Sequence, residues 1–207
     1  MNIRKSALGV LMMSAALGQG AAYAEGPAWY AGLGVGQSMV DIGASDVDAL
    51  TATESWTSTS SVDDGDTAWK IFGGIRLNAN FGVEAAYMDY GTISADSAIT
   101  APTTATIGID MDTTAWIVDA VGIMPLSDQF EIFAKLGAAI WDIDGSVAAT
   151  FPGGTVNVSA DDEGTDFHFG FGANYALMDN IGLRAEWERI NGDDDLDAWT
   201  VGAQMSF

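Results

Sequence analysis

Apolar and polar residues alternate at period two along most of the chain, the mark of strands whose two faces meet different environments. Eight segments carry the pattern: 28–41, 67–77, 80–91, 113–124, 129–143, 165–177, 180–190 and 196–207. In the second, Trp69, Ile71, Ile75 and Leu77 alternate with Lys70, Phe72, Gly74 and Arg76. In the fifth, Phe130, Ile132, Ala134, Leu136 and Ile140 alternate with Glu131, Phe133, Lys135 and Gly137. In the sixth, Phe167, Phe169, Phe171 and Tyr175 alternate with His168, Gly170, Gly172 and Asn174. Each segment reaches or exceeds the ~9–11 residues with which a tilted strand crosses a bilayer.

The connectors alternate between long and short. Residues 42–66, 92–112 and 144–164 are long, while 78–79, 125–128 and 178–179 are short and 191–195 is intermediate. Tight turns on one side and long loops on the other are the asymmetry of an outer-membrane barrel. Asn78-Ala79-Asn80, Ser127-Asp128 and Asp179-Asn180 supply turn chemistry to the short connectors. Pro27, Pro102, Pro125 and Pro152 all fall outside the proposed strands or at their edges, where a missing N–H costs no ladder bond.

Residues 1–24 read as a secretory signal peptide. Arg4 and Lys5 form the charged region, Ala7 to Leu17 the apolar region, and Ala22-Tyr23-Ala24 the cleavage site. Residues 25–207 then form one outer-membrane β-barrel domain. Export places the start of that domain in the periplasm, so the first connector is external, and it is one of the long ones. After Ala24 no apolar run is long enough for a membrane helix.

A soluble barrel would turn its apolar face inward. Three features favour the inverted arrangement. The polar parity is rich in Gly, as at Gly32, Gly34 and Gly36, which suits a narrow lumen. Trp29, Phe81, Phe130, Trp69, Tyr87, Trp116 and Trp199 lie near strand ends, as interfacial girdles require. The chain finishes on Phe207, with Met205, Ala203 and Val201 on the same face. The expected fold is all-β, an eight-stranded antiparallel up-and-down transmembrane β-barrel.

Several segments carry a family likeness: Trp29-Tyr30-Ala31-Gly32, Lys70-Ile71-Phe72-Gly73-Gly74, Asn80-Phe81-Gly82-Val83-Glu84, Phe133-Ala134-Lys135-Leu136-Gly137 and Asp179-Asn180-Ile181-Gly182-Leu183-Arg184-Ala185-Glu186. Their order and spacing resemble the OmpA-type transmembrane barrel of Gram-negative outer membranes. The resemblance implies that terminal Phe207, with Met205, is the assembly signal read by the outer-membrane insertion machinery. Many members carry a C-terminal peptidoglycan-binding domain; none follows Phe207 here, so a cell-wall tether is not carried over.

Nine charges sit on the polar parity of the strands: Lys70, Arg76, Glu84, Asp119, Glu131, Lys135, Arg184, Glu186 and Glu188. Facing lipid, an Arg or Lys near the midplane would cost about 2–4 kcal/mol, so a lumen charge network is expected. Glu84 and Arg184 each follow a turn Asn by four residues, Asn80 and Asn180, which sets them at similar depth on opposite strands. The family resemblance supports such a pair. It is read either as part of a static polar plug or as a gate in which Arg184 exchanges Glu84 for Glu186.

Composition narrows the rest. The net charge is −22, and −24 once Arg4 and Lys5 leave with the signal. Nucleic acid is excluded as a partner, because phosphate binding needs a basic face. Cys is absent, so disulfides and thiolate metal sites are excluded. Residues 41–66, 89–112, 142–166 and 193–197 hold 21 of the 29 acidic residues and no Lys or Arg. These acidic loops read as a solvated surface or, alternatively, as a surface that recognises a cationic partner. Clustered carboxylates also suit divalent cations, and Asp193, Asp195 and Asp197 are spaced like the start of an EF-hand, but the Gly and Glu that complete such a loop are missing. No catalytic motif occurs. The single His168 reads as a hydrogen-bonded lumen filler near the outer mouth; as the base of a lipid-modifying enzyme it would need a nucleophile and an orienting acid beside it.

The sequence thus points to a structural outer-membrane protein that contributes to envelope integrity and to surface contacts through its acidic loops. The alternative is a narrow porin-like channel of low conductance. The expected surroundings are outer-membrane lipid and lipopolysaccharide; the expected state is a monomer without a cofactor.

Overall fold

The computed structural model describes residues 28–40, 57–63, 65–101, 104–192 and 195–207. The proposed signal peptide, Pro27, Trp56, Pro102 and Asp193 lie outside them. Nine strands appear among the described residues: β1 Ala28–Val40, β2 Thr57–Asp63, β3 Thr67–Arg76, β4 Phe81–Ala101, β5 Ala105–Pro125, β6 Phe130–Phe151, β7 Gly154–Met178, β8 Ile181–Asn191 and β9 Leu196–Ser206. All except β2 join one antiparallel ring, ordered β4-β3-β1-β9-β8-β7-β6-β5 and closed by β4 against β5. β2 lies outside the ring and pairs with the far end of β4, Asp63 opposite Ser94.

The registers fix how the ring closes. Starting from Tyr30, the pairing runs through Gly74, Glu84, Asp119, Gly137, His168, Ile190 and Leu196 and returns to β1 at Val40, ten residues from its start. An offset of that size over eight strands tilts them by about 40°, given the ordinary rise per residue and strand spacing. Paired residues share a face, so this circuit stays on the inside throughout.

Lipid-type side chains cover the outside. Leu33, Val35, Ile71, Val118, Leu136, Ile140 and Val201 are all at least half exposed. Aromatic rings bound this apolar belt. Trp69, Tyr87 and Trp116 run across β3, β4 and β5 with centroids 5.7 and 5.0 Å apart, and Phe169, Trp187 and Trp199 continue across β7, β8 and β9 at 5.7 and 6.5 Å. Trp29, Phe81, Phe130 and Tyr175 mark the opposite end. That end, the inner mouth, carries the tight turns. Asn78 Oδ1 accepts from the Asn80 and Phe81 amides at 2.8 and 2.9 Å, and Ser127 Oγ accepts from the Phe130 amide at 3.0 Å.

The outer mouth departs from the sequence expectation. Residues 92–112 and 144–164, expected as loops, are mostly strand: β4 and β5 pair out to Ile99–Ala105, and β6 and β7 out to Phe151–Gly154. Above the aromatic ring the polarity inverts. On β6 the outward positions pass from Leu136 and Ile140 to Asp142 and Asp144, and the inward ones become Ile143, Val147 and Ala149. Lipid no longer sits outside there, so the ordinary rule of water-soluble sheets returns. On β4 a bulge between Asp89 and Thr92 also shifts the phase by one residue. Gly91 takes a positive φ of 78° at that point. Asp66 braces the bulge, accepting from the Thr67 and Thr92 amides at 2.6 and 2.8 Å; these bonds, that from Thr92 first, hold its carboxyl below the ordinary carboxylate value.

The ring closes where β1 meets β9, and Gly36 is critical to that seam. A Cβ on Gly36 would stand 1.6 Å from the carbonyl oxygen of Trp199, which is backbone and cannot swing aside. Gly36→Val is therefore expected to abolish the compact, heat-sensitive band on unheated electrophoresis. Gly73→Ala, whose nearest neighbour would be the Tyr30 carbonyl at 3.6 Å, retains it.

Candidate functional site

The lumen holds the titratable side chains that the parity of the strands turns inward. Lys70 on β3, Glu84 on β4, Asp119 on β5, Lys135 on β6, His168 on β7, and Arg184, Glu186 and Glu188 on β8 form one cluster, and none is more than 3% exposed. Six of the eight ring strands thus supply it, and no short stretch of sequence contains it.

Arg184 is its most constrained member. Its guanidinium grips Glu84 with two bonds, Nη1 to Oε2 at 2.7 Å and Nη2 to Oε1 at 3.0 Å. Nη2 also donates to Glu186 Oε2 at 2.9 Å. The plane lies between two aromatic rings, 4.4 Å from the centre of Phe72 and 4.2 Å from that of Phe133. A planar, weakly hydrated cation suits such a slot better than an ammonium does. Tyr30 donates its hydroxyl to Glu84 Oε2 at 3.0 Å. Glycines make room for these rings: a Cβ on Gly32, Gly74 or Gly172 would fall within 2.5 Å of Phe72, Tyr30 or Phe133 respectively.

Lys135 is the hub of the other half. Its Nζ lies 2.6 Å from Glu188, 2.9 Å from Glu186 and 3.5 Å from Glu84. Lys70 bridges the same two carboxylates, 2.6 Å from Glu186 and 3.0 Å from Glu188. Asp119 pairs with His168, Nδ1 to Oδ1 at 2.8 Å, so Nδ1 carries the hydrogen. Three basic side chains, Lys70, Lys135 and Arg184, face four acidic ones, Glu84, Asp119, Glu186 and Glu188. Arg184 binds Glu84 and Glu186 together.

Arg76 and Glu131 stand apart, at the inner mouth. They pair at 2.6 Å, and Asn174 donates to Glu131 at 3.0 Å. The cavity beside them, about 30 Å³, is lined by Tyr30, Arg76, Glu131, Asn174 and Arg184 among others. That is the scale of a water molecule. At the other end an apolar layer closes the lumen above the charges. Met88, Tyr90, Ile190, Leu196 and Ala198 pack there with Ala68, Ala115 and Ile117, all at most 9% exposed.

Periodicity shows which parity faces inward, but not how far each side chain reaches. The roles of Tyr30, Phe72 and Phe133 around Arg184 escaped sequence reasoning. The available signal was three rings on a parity otherwise made of Gly and charge. His168 is buried beside Asp119 and does not line an open mouth; its Nε2 lies 3.7 Å from Glu188, with no hydroxyl nucleophile bonded to it. Asp195 and Asp197 are taken up by Arg189 on the outer rim. Met205 and Phe207 point outward near the inner mouth, and the Phe207 amide donates to the Trp29 carbonyl at 2.8 Å.

Removing one member of a buried ion cluster leaves its partners uncompensated, at a cost of about 3–5 kcal/mol. Lys135→Met is expected to destabilise the folded barrel by about that amount, read from denaturant unfolding in lipid vesicles. Adding Glu188→Gln restores the original charge balance and should recover a substantial part of the loss.

Comparison with known proteins agrees with this architecture. The sequence matches the family described as "Outer membrane protein beta-barrel domain" over residues 6–207. No curated protein matches it as a relative. Among solved structures it is similar to the outer membrane protein OprG from Pseudomonas aeruginosa, at 12% identity, with 88% of this chain and 96% of that chain covered and a TM-score of 0.52. It is also similar to the N-terminal β-barrel domain of Pseudomonas aeruginosa OprF, at 11% identity, with 86% and 97% covered and a TM-score of 0.50. The chain belongs to the outer membrane protein β-barrel family, and its eight-stranded ring is a barrel of the outer membrane.

Proposed function

We propose that the protein is a structural element of the outer membrane: a closed, side-chain-filled anchor that holds acidic strands at the cell surface and does not conduct. The observation that carries this reading is the apolar layer of Met88, Tyr90, Ile190, Leu196 and Ala198 above the buried ion cluster. An ion crossing it would have to shed its hydration against side chains of which Tyr90 alone carries a polar atom, a single hydroxyl, and charge is costly in such surroundings. The cluster below supports the same reading. Each of Lys70, Lys135 and Arg184 bridges at least two carboxylates, so a passing ion would have to break several short contacts at once. An eight-stranded lumen is in general just wide enough to be filled by side chains.

A non-enzymatic role fits the burial of His168 and the absence of a hydroxyl on its Nε2. The outward Phe207 and Met205 support their reading as the segment presented to the insertion machinery. The barrel acts as a monomer, with lipid and lipopolysaccharide around its apolar belt.

Planar-bilayer recording of the purified protein tests the seal. No discrete conductance steps are expected from the wild type. The triple variant Met88→Ser, Tyr90→Ala and Leu196→Ala is expected to leak. Steps in the wild type that disappear in Arg184→Met would overturn the sealed reading in favour of a gated pore.

A further inference from the structure

Above the outer rim the ring opens into a sheet with a free edge. β6 and β7 pair without interruption from Phe130↔Tyr175 to Phe151↔Gly154, and Pro152 and Gly153 make the turn. β8 joins β7 only from Phe167↔Asn191 inward. From Gly154 to Asp166, therefore, β7 has a strand partner on one side alone among the described residues. That edge is roughly 40 Å long at the ordinary rise of a strand. Every residue from Phe151 to Glu163 is exposed, so no described residue packs over it.

Exposed edges are usually blunted by Lys, Pro or a bulge. Between Thr155 and Ala160 this one has none of these, and its register is regular. One face there is apolar: Val156 and Val158 are 56% and 57% exposed, and Phe151 at the turn is 42% exposed. The alternate positions, Thr155, Asn157 and Ser159, lead toward Asp161 and Glu163 on the other face.

That second face has an unusual charge pattern. The pairing sets Asp144 directly opposite both Asp112 and Asp161, and Asp142 directly opposite Glu163. Like charges opposite one another destabilise a sheet. No Lys or Arg occurs in residues 91–112 or 142–166 to offset them. A second copy of this chain would bring the same negative field to the edge, whereas a basic strand would relieve it.

We propose that the outer half of β7 is a docking edge for an extended, cationic segment of another protein, which adds to the sheet as a further strand. The segment's backbone pairs with β7 between Gly154 and Asp166. Its apolar residues at alternate positions cover Val156 and Val158. Its Lys or Arg side chains at the intervening positions meet Asp161, Glu163 and Asp144. Main-chain bonds and period-two pockets are the general grammar of strand addition. This deepens the surface role within the proposed function and rests on it; the seal of the lumen is separate and is read by conductance.

The test uses the full chain folded in phospholipid nanodiscs and a fluorescent peptide of about ten residues alternating Lys and Val, a length that covers Val156 and Val158 and reaches Asp161 and Glu163. Saturable binding is expected at about 0.1 M salt, where exposed charges still act over ~10 Å. The double variant Asp161→Asn, Glu163→Gln should weaken it about tenfold. The peptide should also slow hydrogen exchange of backbone amides between 154 and 166, and nowhere in the membrane-spanning ring. Unchanged mobility of unheated protein on electrophoresis shows that the variant still folds. Equal binding by a Lys–Pro alternating peptide, which keeps the charge and loses half the N–H groups, overturns strand addition. Equal binding by a Glu–Val peptide overturns the charge argument. Exchange protection that arises without peptide and grows with protein concentration assigns the edge to a second copy, and equally overturns the proposal.

Discussion

A polypeptide in hydrocarbon has no water to satisfy its amides and carbonyls, and the rest of this protein follows from that constraint. Eight strands meet it by closing on themselves, β4 against β5 and β1 against β9. Closure with a ten-residue offset sets the tilt, and tilt with strand number sets a bore that side chains fill. Small residues are then obligatory where the backbones of adjacent strands crowd together, as Gly36 and the Trp199 carbonyl demonstrate at the seam of β1 and β9. Apolar side chains must face lipid, so the other parity points inward, and the polar residues converge there.

Convergence makes the lumen a site whether or not chemistry occurs in it. Three basic and four acidic side chains from five strands share a buried volume, so each depends on the others. Arg184 illustrates the dependence. Its charge is met by Glu84 and Glu186, its faces by Phe72 and Phe133, and those rings fit because Gly32 and Gly172 leave space for them. The apolar layer of Met88, Tyr90, Ile190, Leu196 and Ala198 packs directly above the cluster. On the sealed reading proposed above, stability of the membrane part and exclusion of ions have the same structural origin.

At the outer rim the governing solvent changes, and so does the meaning of the sequence. The strands continue, yet their outward face turns from Leu and Ile to Asp, and the inward face becomes apolar. Among the described residues fewer neighbours accompany them, because the described parts of β3, β1, β9 and β8 end near the rim. The sheet therefore acquires an edge that the membrane-spanning ring does not have. The buried charge cluster and the exposed acidic strands are consequences of one set of strands in two solvents.

Alternation alone made the barrel legible. It marked all eight ring strands and the inward parity of Lys70, Glu84, Lys135, Arg184 and Glu186, because strand geometry turns successive residues to opposite faces. Equal spacing from Asn80 and Asn180 also indicated that Glu84 and Arg184 share a depth, since each turn marks the same boundary. Two things were not legible. The outer halves of β4 to β7 resembled loops, because their polarity reverses where lipid ends and the bulge at Asp89–Thr92 breaks the phase on β4. The partners of Lys135, the pairing of Asp119 with His168, and the aromatic slot around Arg184 also required the folded ring. Parity is a property of the local chain, but which side chains meet across a lumen depends on the offset at which eight strands close, and only the tertiary structure decided that.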